Sequence, residues 1–168
     1  MNIVENFNML ITQLINFFSI FTNRVLILAT TAQISSMIVK AIINLIKNKK
    51  GSLKVMATYG GMPSSHTVFV ASFVFGIGMD PKYGWTSPFI TIGIVFAAIV
   101  LIDAIKFRGT VDKLNNCLKE IVEKDPKYSH IKLPKYIAHT VLEVIVGIIF
   151  AFVYTFIFYL LFYNFFTN

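Results

Sequence analysis

The stretch YIAHTVLEVIVGIIFAFVYTFIFYLLFY, residues 136–163, decides the fold class. After Glu143 it contains no Asp, Glu, Lys or Arg. It is longer than the roughly 17–25 residues that carry an α-helix across a hydrocarbon core about 30 Å thick. A run of this length with no polar alternation reads as a membrane-spanning helix, long enough to tilt or to emerge into the headgroups. Working outward, residues 25–46 form a second apolar run, broken by Gln33 and Lys40. Residues 63–79 form a third, short for a span, and 88–105 a fourth. The expected fold is all-α: an integral membrane helical bundle of about four transmembrane helices in a single domain, 1–168.

Composition agrees. Of 168 residues, 56% are hydrophobic and 14% charged, whereas soluble domains carry about 25% charged residues. Residues 1–21 are apolar but punctuated by Asn2, Glu5, Asn6, Gln13, Asn16 and Ser19 at near-helical spacing. An interfacial amphipathic helix fits them best, a fifth span being the alternative. No basic n-region precedes the apolar stretch, so a cleaved signal peptide is not expected. Cys117 is the single cysteine, so no intramolecular disulfide is possible.

The net charge of +7 lies between the apolar runs rather than within them. It therefore speaks for anionic headgroups and topology, and nucleic acid is not an expected partner. The loop 47–62 holds four Lys and the hydrophilic segment 106–135 holds eight Lys or Arg, against Arg24 and Lys82 on the other side. The segment is amphipathic at first and breaks at Asp125-Pro126. The positive-inside rule puts both basic segments in the cytoplasm.

The polar residues fall at one depth. Lys40 closes the first span; Ser64, Ser65 and His66 open the second; Asp103 and Arg108 close the third; His139 and Glu143 open the fourth. Singly, each has an ordinary reading. Lys40 snorkels to the headgroups, Asp103 pairs with Lys106 or Lys40, Arg108 is a basic flank and His66 an interfacial histidine. Together they mark a functional cluster, because ionisable groups inside a span are costly. His139 and Glu143 are spaced i, i+4, so the carboxylate can accept an imidazole N–H and leave the other nitrogen free. Gly60-Gly61-Met62-Pro63-Ser64-Ser65-His66 reads as a loop turning into a helix, whose free amides and Ser hydroxyls favour an anion.

GGMPSSHT (60–67), IVLIDAIKFR (99–108), Leu114-Asn115 and AHTVLEVIVG (138–147), in that order, resemble the divergent PAP2 family. These are small bacterial membrane proteins related to type 2 phosphatidic acid phosphatases and vanadium-dependent haloperoxidases. The resemblance implies a lipid phosphate or pyrophosphate as substrate. His66 would be the general acid, His139 the nucleophile forming a phosphohistidine, and Glu143 its orienting carboxylate. Lys40, Ser64, Ser65 and Arg108 would bind phosphate, with Gly60, Gly61 and Asp103 in support. No metal or other cofactor is implied, and vanadate is expected to mimic the phosphate. The sequence departs from the wider superfamily at two clamps. The K-x6-RP motif is reduced to Lys40 and Lys47-Asn48, and its later Ser-Arg pair falls on Lys132-Leu133. These losses keep a second function open, a non-catalytic lipid-phosphate binder or carrier; a structural bundle locked by its polar cluster is the third. Expected partners are the lipid phosphate and membrane lipids, in a bacterial inner membrane with the site at its cytoplasmic face.

Overall fold

A computed structural model of the chain describes residues 3–48, 61–124, 126–128, 131 and 140–167. Helix α1 (Ile3–Phe18) and a 3-10 turn (Ser19–Thr22) lead into α2 (Arg24–Asn48). Then follow α3 (Ser65–Met79), α4 (Pro88–Ile102), a π-helical turn (Asp103–Phe107), α5 (Arg108–Lys124) and α6 (Val141–Thr167). The chain is an all-α membrane bundle, as the apolar runs predict.

Each helix begins where local chemistry allows. Asn23 caps α2, its side-chain oxygen accepting from the Leu26 amide at 3.1 Å. Ser64 caps α3 by accepting from Thr67 N–H at 3.5 Å. Ser87 caps α4 with Pro88 in its first turn. Between α3 and α4 the Asp80–Gly84 turn is closed by the Asp80 carbonyl, which accepts from Tyr83 and Gly84 amides at 3.1 and 3.0 Å. Gly84 adopts a positive φ of 72° that a side chain would resist.

Among the described residues, three helices are long and apolar enough to span: α2, the continuous α4–α5 rod and α6. The fourth expected span, α3, has 15 residues, about 22 Å at 1.5 Å per residue. Its ends need not reach lipid headgroups, because α2, α4 and α6 pack around it. It is the hub of the bundle. Along it Val68, Val70, Ala71 and Ile77 are buried, whereas Ile92, Val95, Phe96 and Ile99 of α4 remain exposed, as lipid-facing residues do.

Small residues set the spacing. Lipid tails are as apolar as leucine, so helices in a bilayer associate through close packing rather than hydrophobic exclusion. Ala32 of α2, Val68 and Ala71 of α3 and Ala151 of α6 form one buried cluster. Gly76 meets Val25 and Leu28 of α2, and Gly147 meets Thr67 and the Ser64 carbonyl. These contacts make α3 antiparallel to α2 and parallel to α6. Helix α1 is not packed extensively on α2–α6 among the described residues. Its Phe7, Leu10, Leu14, Ile15 and Phe18 stay exposed, consistent with the expected interfacial helix.

A Cβ at Gly147 would lie 3.0 Å from Thr67 Cβ and 3.2 Å from the Ser64 carbonyl oxygen. Gly147→Leu is therefore expected to lower stability in detergent by about 2–3 kcal/mol through overpacking. At Gly93 the nearest atom would be a side-chain carbon at 3.4 Å, so Gly93→Ala should melt close to wild type. Thermal melts of the two variants check the difference.

Candidate functional site

The site is built from the first turn of α6. Thr140 and Glu143 form a reciprocal capping box. The Glu143 amide donates to Thr140 Oγ1 at 3.3 Å, and the Thr140 amide donates to Glu143 Oε2 at 3.0 Å. The other carboxylate oxygen reaches across the bundle, where Glu143 Oε1 accepts from the Gly61 amide at 2.9 Å. The Glu143 backbone carbonyl accepts from the Ser64 amide at 3.3 Å. One residue thus clasps both ends of the Gly61–Ser64 turn to α6. Gly61 adopts φ 93° there, a conformation that favours glycine.

Lys40 lies beneath this turn. It is only 5% exposed, so it does not snorkel to the headgroups as a lone lysine in a span would. Its methylene stem passes 3.8 Å from where a Gly61 Cβ would project. The Glu143 carboxylate supplies the opposing field. A buried ammonium and a half-buried carboxylate thereby share one end of α2, α3 and α6.

The serines have different tasks. Ser64 is fully buried, and its hydroxyl oxygen accepts from Thr67 Oγ1 at 3.0 Å as well as from the Thr67 amide. It acts first as a helix cap. Ser65 is 8% exposed, yet its hydroxyl has no hydrogen-bond partner among the described residues. A buried, unpartnered hydroxyl is costly unless something binds it. His66, next in the turn, is exposed while Ser65 and Thr67 face inward. Of the residues singled out in the sequence, Lys40, Gly61 and Glu143 therefore come together, with Ser64 and Ser65 next along the chain at the start of α3.

Arg108 and Asp103 do not join them in the same way. The π-helical turn brings residues five apart onto one face, and Arg108 Nε pairs with Asp103 Oδ2 at 3.4 Å. Asp103 is thus a structural partner, as expected, but of Arg108 rather than of Lys106 or Lys40. The i, i+3 and i, i+4 rules of a regular helix miss that pairing. Helix α5 is not packed extensively against α2, α3 or α6. Gly60 and His139 lie outside the described residues.

Sequence reasoning also missed Thr140, although Thr-x-x-Glu before an apolar run is a capping-box signal. It missed a second polar knot at the far end of α3 as well. There Tyr159 of α6 donates towards the Gly76 carbonyl at 3.0 Å and Asp80 Oδ2 at 3.2 Å. No spacing rule links residues that far apart in the chain.

A family model described as the divergent PAP2 family matches residues 21–154. The chain belongs to the divergent PAP2 family. Lys40, Gly61, Ser64, Ser65, His66, Arg108, His139 and Glu143 all fall within the matched residues of this divergent PAP2 protein. The chain is also similar to a protein of Bacillus subtilis (strain 168) named "Uncharacterized membrane protein YuiD". The two are 26% identical over 140 residues, covering 75% of this chain and 87% of that protein. No solved structure matches it.

Removing the carboxylate tests the clasp. Glu143→Ala deletes two charged acceptors and leaves Lys40 buried beside no carboxylate, so it is expected to cost about 2–4 kcal/mol in detergent. Thr140→Ala removes only a cap and should cost about 1 kcal/mol. Equal, negligible losses in thermal melts would show that the clasp does not hold the turn.

Proposed function

We propose that this divergent PAP2 protein hydrolyses a lipid phosphate or pyrophosphate at the membrane surface, through a phosphohistidine intermediate. One observation carries the reading: the buried Ser65 hydroxyl has no partner among the described residues, in the first turn of α3 that follows a loop pinned by Glu143 over the buried Lys40. A hydroxyl, an ammonium and first-turn amides of α3 supply donors to an anion where the bundle holds them rigidly. In the proposed reaction a ring nitrogen of His139 attacks phosphorus and the P–O bond to the leaving group breaks. His66 gives its proton to the departing oxygen. Water then attacks phosphorus while giving a proton to His66, the P–N bond to His139 breaks, phosphate leaves, and both imidazoles return to their starting states. Glu143 orients His139 in this scheme as well as clasping Gly61. Phosphatidate, phosphatidylglycerol phosphate and polyprenyl phosphates all carry the required chemistry.

A second reading has its own support. Arg108 is engaged by Asp103, and the superfamily's Arg-Pro and Ser-Arg clamps are Lys47-Asn48 and Lys132-Leu133 here. Lysine lacks the bidentate fork of arginine. A protein that binds or carries a lipid phosphate without turning it over fits those losses.

Phosphate release from a panel of lipid phosphates by purified protein separates the two. His66→Ala is expected to slow turnover by roughly 100-fold or more, and His139→Ala to abolish it. Wild type matching His139→Ala across the panel defeats the enzyme reading. Lipid-phosphate binding that survives His139→Gln but collapses in Lys40→Ala then establishes the carrier.

We place the site at the cytoplasmic face of a bacterial inner membrane, on the strength of the two basic segments. Cys117, exposed on α5 within the second of them, reports on this directly. It should resist a membrane-impermeant maleimide in intact cells and react in inverted vesicles. Labelling in intact cells would reverse the orientation.

A further inference from the structure

The middle of α3 holds a polar feature that the candidate site does not use. Ser72 lies midway between the caps of its helix, Ser64 and Asp80, about 12 Å from each at about 1.5 Å per residue. Its hydroxyl is fully buried and has no hydrogen-bond partner among the described residues. The same is true of Thr155 on α6. Other hydroxyls of the bundle are satisfied within their own helix. Thr30, Thr31 and Ser36 donate to the carbonyls of Leu26, Ile27 and Gln33 at 2.8, 2.8 and 2.7 Å, the local bond open to any helical Ser or Thr. Ser72 and Thr155 do not take it.

The fold brings the two to one level. Side chains four apart share a helix face, so Ser72 stands in line with Val68 and Gly76, and Thr155 with Ala151 and Tyr159. Val68 and Ala151 belong to one buried cluster, and the Tyr159 hydroxyl donates to the Gly76 carbonyl at 3.0 Å. Because α3 and α6 run parallel, the residues between those two contacts, 72 and 155, fall in the same layer. On the α2 side Leu28 meets Gly76 and Ala32 joins the Val68 cluster, both fully buried. The layer is thus closed to lipid. Neither hydroxyl has a charged residue within a turn of it along its own helix.

We propose that Ser72 and Thr155 hold one ordered water between α3 and α6, in the middle of the bundle. Two buried hydroxyls at one level that bond neither to each other nor to their own helices call for a mediator. It must be small, because the wall is close-packed, and uncharged, because no ion partner lies nearby. Water meets both demands and needs only two to four polar partners. The bridge supplies a polar contact between α3 and α6 midway between the Glu143 clasp and the Tyr159 bond. It also resists sliding of one helix along the other, since a slip moves the two hydroxyls out of reach of one molecule. The site shares no residue with the Lys40–Gly61–Glu143 cluster and stands apart from the proposed phosphatase chemistry.

Magnetisation transfer from water to the Thr155 γ-methyl, measured by NMR on the methyl-labelled full chain in nanodiscs, tests this. Wild type is expected to show transfer with the sign of a long-lived bound water, and Ser72→Ala should lose it. The γ-methyl-labelled side chain in Thr155→Val should show none. Thermal melts give a second reading, with opposite signs for the alternatives. If a water bridges the hydroxyls, Ser72→Ala and Thr155→Val each strip it of an anchor and should lower the melting temperature by about 2–4 °C. The double variant should fall no further than the worse single one. If nothing binds there, each substitution removes an unsatisfied buried hydroxyl and raises the melting temperature or leaves it unchanged. Absence of transfer in wild type, transfer unchanged in Ser72→Ala, or single variants that melt at or above wild type would each overturn the proposal. The wild-type spectrum decides the matter even where a variant fails to fold.

Discussion

The clasp made by Glu143 is the constraint on which the rest of this structure depends. A single residue at the start of α6 caps its own helix through Thr140. It also takes the Gly61 amide with its carboxylate and the Ser64 amide with its carbonyl. Those two amides bracket the turn that starts α3. Met62 and Pro63, the central residues of that turn, lie between a positive-φ glycine and a helix cap. With those amides held, α3 begins at a defined depth, Lys40 is covered, and Ser65 faces inward. The polar cluster is therefore a consequence of backbone hydrogen bonding before it is a matter of catalytic chemistry. A charged acceptor in a low-dielectric setting makes such bonds strong, and leaves them costly to break.

The same logic governs the other end of α3. Tyr159 bridges the Gly76 carbonyl and Asp80, so α6 is fastened to α3 by buried polar contacts at both ends. Between them the contact is made by Ala71, Val68 and Ala151, with Gly147 allowing the closest approach. A helix too short to span alone is in this way held between two that do span. Lipid gives no net reward for bringing apolar helices together, so close packing and terminal hydrogen bonds supply the stability. The two ends also differ in what they leave open. One presents a buried hydroxyl and ammonium under a pinned turn. The other gathers Arg24, Asp80 and Lys82 around a polar pocket.

Much of this was legible in the sequence, for identifiable reasons. Long uncharged runs are an unambiguous signal, so the all-α membrane bundle, the helical start at Ser64-Ser65 and the break after Lys124 all follow from composition and breakers. That Lys40, Gly61 and Glu143 lie at one end of the bundle accords with their common depth at helix ends. Depth says nothing about partners, however. Asp103 found Arg108 through a π-helical turn, a geometry that regular-helix spacing does not contain. Glu143 found Gly61 across the bundle, which needed the fold itself. The central place of α3 was hidden for a related reason: its hydropathy resembles that of its neighbours, and only packing reveals which apolar helix protein covers rather than lipid.

The most direct measurement of the central claim is amide hydrogen exchange at Gly61 and Ser64 in detergent or nanodiscs. Both amides should be strongly protected in the wild type, and Gly61 should exchange far faster in Glu143→Ala while the middle of α6 stays protected. Rapid exchange at Gly61 in the wild type, or protection that is the same with and without the carboxylate, would contradict the account.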